Sequence, residues 1–235
     1  MDSNTKIARW AGFIYFVVVI TGLFSLMYVP SKLIEWENPK LTFNNISSSR
    51  YLFSLSIASS ILCYTAFTLL PLVLYKLLKN VNGTYAKLMV ILALISVPIS
   101  FINLQSKLSV LTIIDAADYL KIYKTEELQA QVMLLLKNYN NGILIVQIFW
   151  GLWLYPFGYL VYKSNFLPKV LGVFLMLGCL GYVINVFGRI TIPEFSSYAL
   201  SSYITLPASI GEIGICLWLL IIGVRSKPVN TIHQN

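Results

Sequence analysis

Apolar residues in this chain are gathered into long blocks separated by short polar stretches. About 20 apolar residues in helix are needed to cross a hydrocarbon layer of about 30 Å. Six blocks meet that length, at 10–29, 51–78, 86–114, 143–162, 170–187 and 204–224. They predict an all-α polytopic membrane protein, six transmembrane helices in one bundle, with 1–235 forming a single membrane domain and no soluble domain. Lys6 and Arg9 before the first block resemble the start of a signal peptide. Its apolar core is longer than a typical h-region, however, and it runs into Tyr28-Val29-Pro30 without a small-residue cleavage site, so it is read as an uncleaved span.

Two links are short. Lys79-Asn80-Val81-Asn82-Gly83-Thr84 is a tight polar turn, and Lys163-Ser164-Asn165-Phe166-Leu167-Pro168-Lys169 places a proline where the next helix begins. Short links make antiparallel neighbours, so spans two and three, and four and five, are expected to form hairpins. The segment from Tyr119 to Lys137 differs: Leu120, Tyr123, Leu128, Val132 and Leu135 share roughly one helical face. Either spans three and four project beyond the bilayer, or an amphipathic helix lies on the membrane and breaks at Asn140-Asn141-Gly142. Counted from Lys87 at 1.5 Å per residue, Lys107 falls at about 30 Å and is expected to snorkel at the outer interface.

Composition sharpens the class. Hydrophobic residues make up 57% of the chain and charged ones 11%, and mean hydropathy is +0.75. A soluble domain carries about a quarter charged residues, so these charges are too few to coat a water-facing surface. The net charge of +8 comes from bases that flank apolar blocks. That pattern belongs to membrane topology, and no nucleic-acid partner is expected; membrane lipid is. With the N-terminus cytoplasmic, the short inner links hold Lys6, Arg9, Lys76, Lys79, Lys87, Lys163, Lys169, Arg225 and Lys227 against one acid, Asp2. The longer outer segments hold a similar number of bases offset by Glu35, Glu37, Asp115, Asp118, Glu126, Glu127 and Glu194. Both termini are therefore expected to be cytoplasmic, in a cell (inner) membrane.

Polar groups at depth are the natural candidates for function, because hydrocarbon offers them no partner. Counted from the inner flanking bases, Asn103, Gln147 and Asn185 each lie at about 24 Å, and Glu212 at about 20 Å. Gln105 lies slightly further out, and Ser25, Ser59 and Ser60 at roughly the same level. Glu212 is the one carboxylate well inside a span. Two readings stand: interhelical hydrogen-bond glue, or an outward-facing polar pocket built from Asn103, Gln105, Gln147, Asn185 and Glu212. Pro71, Pro98 and Pro156 lie within spans and can kink them.

Catalytic parts are missing. No histidine lies in any span, the lone His233 is in the polar tail, and no G-x-S-x-G, H-E-x-x-H or P-loop occurs. Glu212 has no second acid at its depth with which to form a carboxylate pair. Cys63, Cys179 and Cys216 all fall inside apolar blocks and read as small buried residues. No catalytic, metal or cofactor site is expected.

The opening Ala8-Arg9-Trp10-Ala11-Gly12-Phe13-Ile14-Tyr15 resembles that of the bacterial membrane family known as domain of unknown function 4386. The resemblance continues through Asn44-Asn45-Ile46, Leu52-Phe53 and Leu74-Tyr75-Lys76-Leu77-Leu78-Lys79-Asn80-Val81-Asn82. It is most specific from Gly158-Tyr159-Leu160-Val161-Tyr162-Lys163 to Val170-Leu171-Gly172, and recurs at Gly181-Tyr182, Gly211-Glu212 and Leu217-Trp218-Leu219-Leu220. One departure is Asn138-Tyr139-Asn140-Asn141-Gly142, where the family often carries a histidine before the glycine. The resemblance implies a six-helix bacterial inner-membrane protein and implies no reaction.

The resulting expectation is a non-enzymatic membrane protein that binds a small-molecule or lipid ligand in an outward-facing polar pocket, as a sensor or accessory protein. The alternatives are a small proton- or cation-coupled transporter using Glu212, and a membrane-embedded enzyme.

Overall fold

The computed structural model describes residues 3–198, 201 and 203–224. Asp2, Arg225, Lys227 and His233, used above for orientation and for excluding a metal site, lie outside the described residues. Among the described residues there are helices and turns and no strand. The long elements are α1 (Ser3–Leu23), α4 (Arg50–Leu78), α5 (Gly83–Asn103), α7 (Thr125–Leu152) and α9 (Lys169–Thr191). Shorter helices are α2 (Val29–Leu33), α3 (Pro39–Ser48), α6 (Gln105–Ile114), α8 (Leu154–Lys163) and α10 (Leu206–Ile221). Five stretches are long and apolar enough to cross a membrane: Ser3–Leu33, Arg50–Leu78, Gly83–Ile114, Thr125–Lys163 and Lys169–Thr191; Leu206–Ile221 is a shorter apolar helix. With that sixth helix, the protein is an all-α, six-helix polytopic membrane protein.

The helices close a ring in chain order. α1 packs on α4, α4 on α5, α5 on α7 and α8, α8 and α7 on α9, α9 on α10, and α10 back on α1. Both short links join neighbours. In the first, the Asn82 side chain accepts from the Thr84 and Tyr85 N–H groups at 3.1 Å and starts α5. In the second, Asn165 takes the left-handed backbone (φ 58°) that asparagine tolerates, and Pro168 immediately precedes α9. The ring encloses an aromatic centre: Trp153 stacks on Phe157 with centroids 5.2 Å apart and meets the edge of Phe67 at 5.2 Å.

The end of the bundle away from the termini carries a second core. Val29, Leu33, Ile46, Phe53, Val110, Ile113, Val132 and Leu136 are buried together there, contributed by α2, α3, α4, α6 and α7. The Tyr119–Lys137 segment is therefore a 3-10 turn (Asp118–Ile122) followed by the first half of α7. α7 runs without a break through Asn140-Asn141-Gly142. The break at Asn140-Asn141-Gly142 that the membrane-surface arrangement required is therefore absent, and the amphipathic stretch is part of the same helix as the apolar one. Its start is a capping box in which Glu127 Oε2 accepts from the Lys124 N–H at 2.8 Å.

Two irregularities shape the interior. α1 passes into a π-helical turn, Phe24–Tyr28. α7 and α8 are parted by a single residue, Trp153, three positions before Pro156, whose missing N–H leaves the Leu152 carbonyl without its α-helical donor.

Candidate functional site

Glu212 stands on α10 among apolar residues, between Gly211 and Gly214, which let α9 approach. Its Oε1 accepts a 2.9 Å hydrogen bond from the Tyr15 hydroxyl on α1. The carboxylate is half-buried because it borders a cavity of about 230 Å³, walled also by Tyr15, Phe67, Trp150, Trp153 and Tyr182. The wall is a mixture of aromatic and aliphatic side chains, with Glu212, Ser209 and the tyrosine hydroxyls as its polar groups.

A second cavity, of about 470 Å³, lies toward the second core and is lined by Trp36, Lys107, Tyr139 and Gln147 among others. Gly22, Leu23, Leu26, Trp150 and Tyr182 border both cavities, so the two share a rim. Glu212 and Lys107 thus border neighbouring cavities whose walls meet at Trp150 and Tyr182.

Lys107 does not snorkel, contrary to the expectation from its height along α5 and α6. It is 2% exposed. Height alone placed it at an interface, but the second core continues past it and α7 covers it. Its Nζ donates to the Ser25 carbonyl at 3.3 Å and sits 4.4 Å from the centroid of the Tyr139 ring. The Ser25 carbonyl is available for a definite reason. Within the π turn the Val29 N–H bonds to Phe24 instead of Ser25, and the residue that would serve Ser25 in the π register is Pro30, which has no N–H. The irregular backbone leaves a bare carbonyl, and Lys107 takes it.

The polar layer read from the sequence separates into parts. Asn185 Nδ2 donates to Gln147 Oε1 at 3.3 Å, tying α9 to α7, and Gln147 also borders the second cavity. Asn103 Nδ2 donates to the Tyr139 carbonyl at 2.9 Å, tying α5 to α7. The Asn103 amide occupies the space over Gly142, where any β-carbon would collide with it. Gln105 is exposed and borders neither cavity. Ser25 and Ser60 are buried and bond within their own helices, while Ser59 donates to the Thr21 carbonyl at 3.0 Å. Glu212 and Gln147 thus reach a cavity, whereas Asn103 and Asn185 join helices. Among the described residues, no three histidine, cysteine or acidic side chains converge on one point.

The tyrosines of the site were not singled out from the sequence. Tyr15 and Tyr182 sit in apolar runs and look like core, while Tyr139 stands among asparagines and looks like part of a polar break. The available signal was the hydroxyl itself, since a buried tyrosine usually places its O–H on a partner.

Fold and cavities together define a polytopic, all-α membrane protein with two neighbouring cavities between its helices. The chain belongs to the family described as Domain of unknown function (DUF4386), which matches residues 10–223. It is also similar to a protein of Archaeoglobus fulgidus, itself described as uncharacterized, with 33% identity over 128 residues, covering 54% of this chain and 70% of that one. No solved structure matches the chain.

Proposed function

We propose that this protein is a non-enzymatic ligand-binding protein of the inner membrane, a sensor or accessory subunit, with both termini cytoplasmic. Its ligand, a small or lipid-like molecule, occupies the two chambers that share the Trp150–Tyr182 rim. The observation that carries this reading is their construction: partly open clefts with mainly aromatic and apolar walls and a few separated polar groups, the usual make-up of a small-molecule site. The second chamber, at about 470 Å³, falls within the size range of such sites, about 300–1,000 Å³.

Gly22 provides the test, because it borders both chambers and a β-carbon placed on it meets nothing nearer than Cys63 Sγ at 3.6 Å. Gly22→Leu fills the rim without striking backbone. Native mass spectrometry of protein extracted in a mild neutral detergent should show small-molecule adducts on the wild type and their loss from Gly22→Leu at equal yield. Absence of adducts on the wild type, together with no rise in unfolding temperature from any of a panel of amphiphiles, overturns the reading.

A second reading is a small proton- or cation-coupled transporter. It is favoured by one observation, a carboxyl group hydrogen-bonded to Tyr15 at the edge of a cavity within the helix bundle. It requires that Glu212→Gln abolish a pH-driven flux in proteoliposomes while leaving the fold intact.

A further inference from the structure

Lys107 presents a charge that the protein does not neutralise. Its ammonium is 2% exposed, and among the described residues no carboxylate pairs with it. One of its three donors goes to the Ser25 carbonyl, and Tyr139 offers a ring face. Neither contact brings a full negative charge. A buried ammonium without a counter-ion is costly in a low-dielectric interior, and this one borders the larger chamber. Its setting is held firmly. Asn103 bonds to the Tyr139 backbone that positions the ring, and the π turn with Pro30 strips the Ser25 carbonyl of its usual donors.

The surroundings of the charge are apolar. Leu26, Ile34, Trp36, Leu136 and Ile143 line the same chamber. Beyond the rim, the smaller chamber continues the apolar space to Glu212. The geometry points to Lys107 as the head-group site for a single-chain amphiphile carrying a carboxylate or phosphate head, its tail running past Trp150 and Tyr182. This inference rests on the ligand-binding reading above. Lys107 sets the polarity: it is the one cation among the residues that border the two chambers, so an anionic head faces it. The chamber of about 470 Å³ matches one alkyl chain with its head, whereas a two-chain phospholipid would have to leave a chain outside.

The test uses the full chain in neutral detergent, with palmitate and hexadecanol offered at equal concentration and bound species counted by native mass spectrometry. The two probes share a tail and differ in the head. The wild type should retain palmitate about tenfold more tightly than hexadecanol, a difference of about 1.4 kcal/mol. Lys107→Met, which keeps the length and drops the charge, should remove that preference, and Lys107→Arg should restore most of it. A large excess of acetate should fail to displace palmitate, since the tail supplies much of the binding. Equal retention of both probes by the wild type overturns the assignment of Lys107 while leaving the ligand-binding reading standing. Retention of neither overturns both. Displacement by acetate shows a small-anion site and overturns the amphiphile. The comparison of probes on the wild type decides the matter even if Lys107→Met does not fold.

Discussion

Tyr15 and Glu212, 197 positions apart in the chain, meet through a 2.9 Å hydrogen bond that closes the ring of helices where its first and last members touch. A tyrosine and a carboxylate that each face a partner shortage in hydrocarbon satisfy one another. They do so at the end of a cavity and not in solid packing.

That bond can be measured. Tyr15→Phe should lower stability by about 1 kcal/mol, and Glu212→Gln, which keeps size and hydrogen-bonding capacity, by no more than that. The double variant should lose less than the two singles combined. Glu212→Lys should cost about 2.5–3.5 kcal/mol on the insertion scale. Unfolding temperatures of all four in detergent decide this, and strict additivity would mean that the two side chains do not depend on one another.

Asn103 and Gly142 form a second coupled pair. A β-carbon at residue 142 collides with the Asn103 amide, so Gly142→Ala should cost about 1–3 kcal/mol by overpacking. Asn103→Ala gives up the 2.9 Å bond to the Tyr139 carbonyl, worth about 0.6 kcal/mol in a membrane helix pair. In Asn103→Ala/Gly142→Ala the collision is gone, so the double variant should be more stable than Gly142→Ala alone. A thermal melt of the three proteins shows whether it is.

At the end of the bundle away from the termini, the Arg50 guanidinium grips Asp115 through two hydrogen bonds, Nη2 to Oδ2 at 2.6 Å and Nε to Oδ1. These bonds, together with the guanidinium charge, hold the Asp115 carboxyl below its ordinary range. A carboxyl depressed in the folded state favours folding above its unfolded value, about 3.9, and that contribution disappears as pH falls through the lower native value. The pair is exposed, so its effect should be small and salt-sensitive. Wild type should lose stability relative to Asp115→Asn as pH is lowered from neutral to about 3, and the difference should shrink in high salt. Parallel pH curves in low salt would rule the contribution out.

Orientation is tested by labelling. Single cysteines replacing Glu37 or Lys121 should react in intact cells with a membrane-impermeant thiol reagent. Those replacing Asn80 or Lys163 should react only after permeabilisation. Cys63, Cys179 and Cys216 are free and buried, so the native background should be low. External labelling at Asn80 would invert the proposed topology.

The spans and hairpins were legible because long apolar blocks between short basic links leave little choice of topology. The polar layer was legible only as heights. Counting 1.5 Å per residue places Asn103, Gln147 and Asn185 at one level, but it does not say which way each faces or what covers it. That Asn185 meets Gln147 while Gln105 faces outward depends on helix rotation, which a lone polar residue in an apolar run does not encode. Lys107 went astray for a related reason. Its height marks an interface only if the protein ends there, and the folding of residues 29–48 and 105–136 into a second core means that it does not. Pro30 did hold a local hint, since a proline near the end of a span frees carbonyls upstream. Which side chain takes such a carbonyl is settled by packing.

The glycines of α9 and α10 have a mechanical consequence. A β-carbon on Gly158 would lie 2.6 Å from the Gly172 carbonyl, and one on Gly178 would lie 2.6 Å from Ala208 Cα, so α8, α9 and α10 touch backbone to backbone with no side-chain layer between them to slide. At Gly12, α1 is pressed equally close onto the backbone of α10, and Tyr15 fastens it again one turn on. Above those two anchors, α1 loses its regular ladder in the π turn, and Gly22, Leu23 and Leu26 border both chambers. The first helix is thus a beam fixed at both ends, to α10 at its base and to Ser59, Lys107 and the second core beyond Gly22, so the wall it gives the chambers is a stiff one.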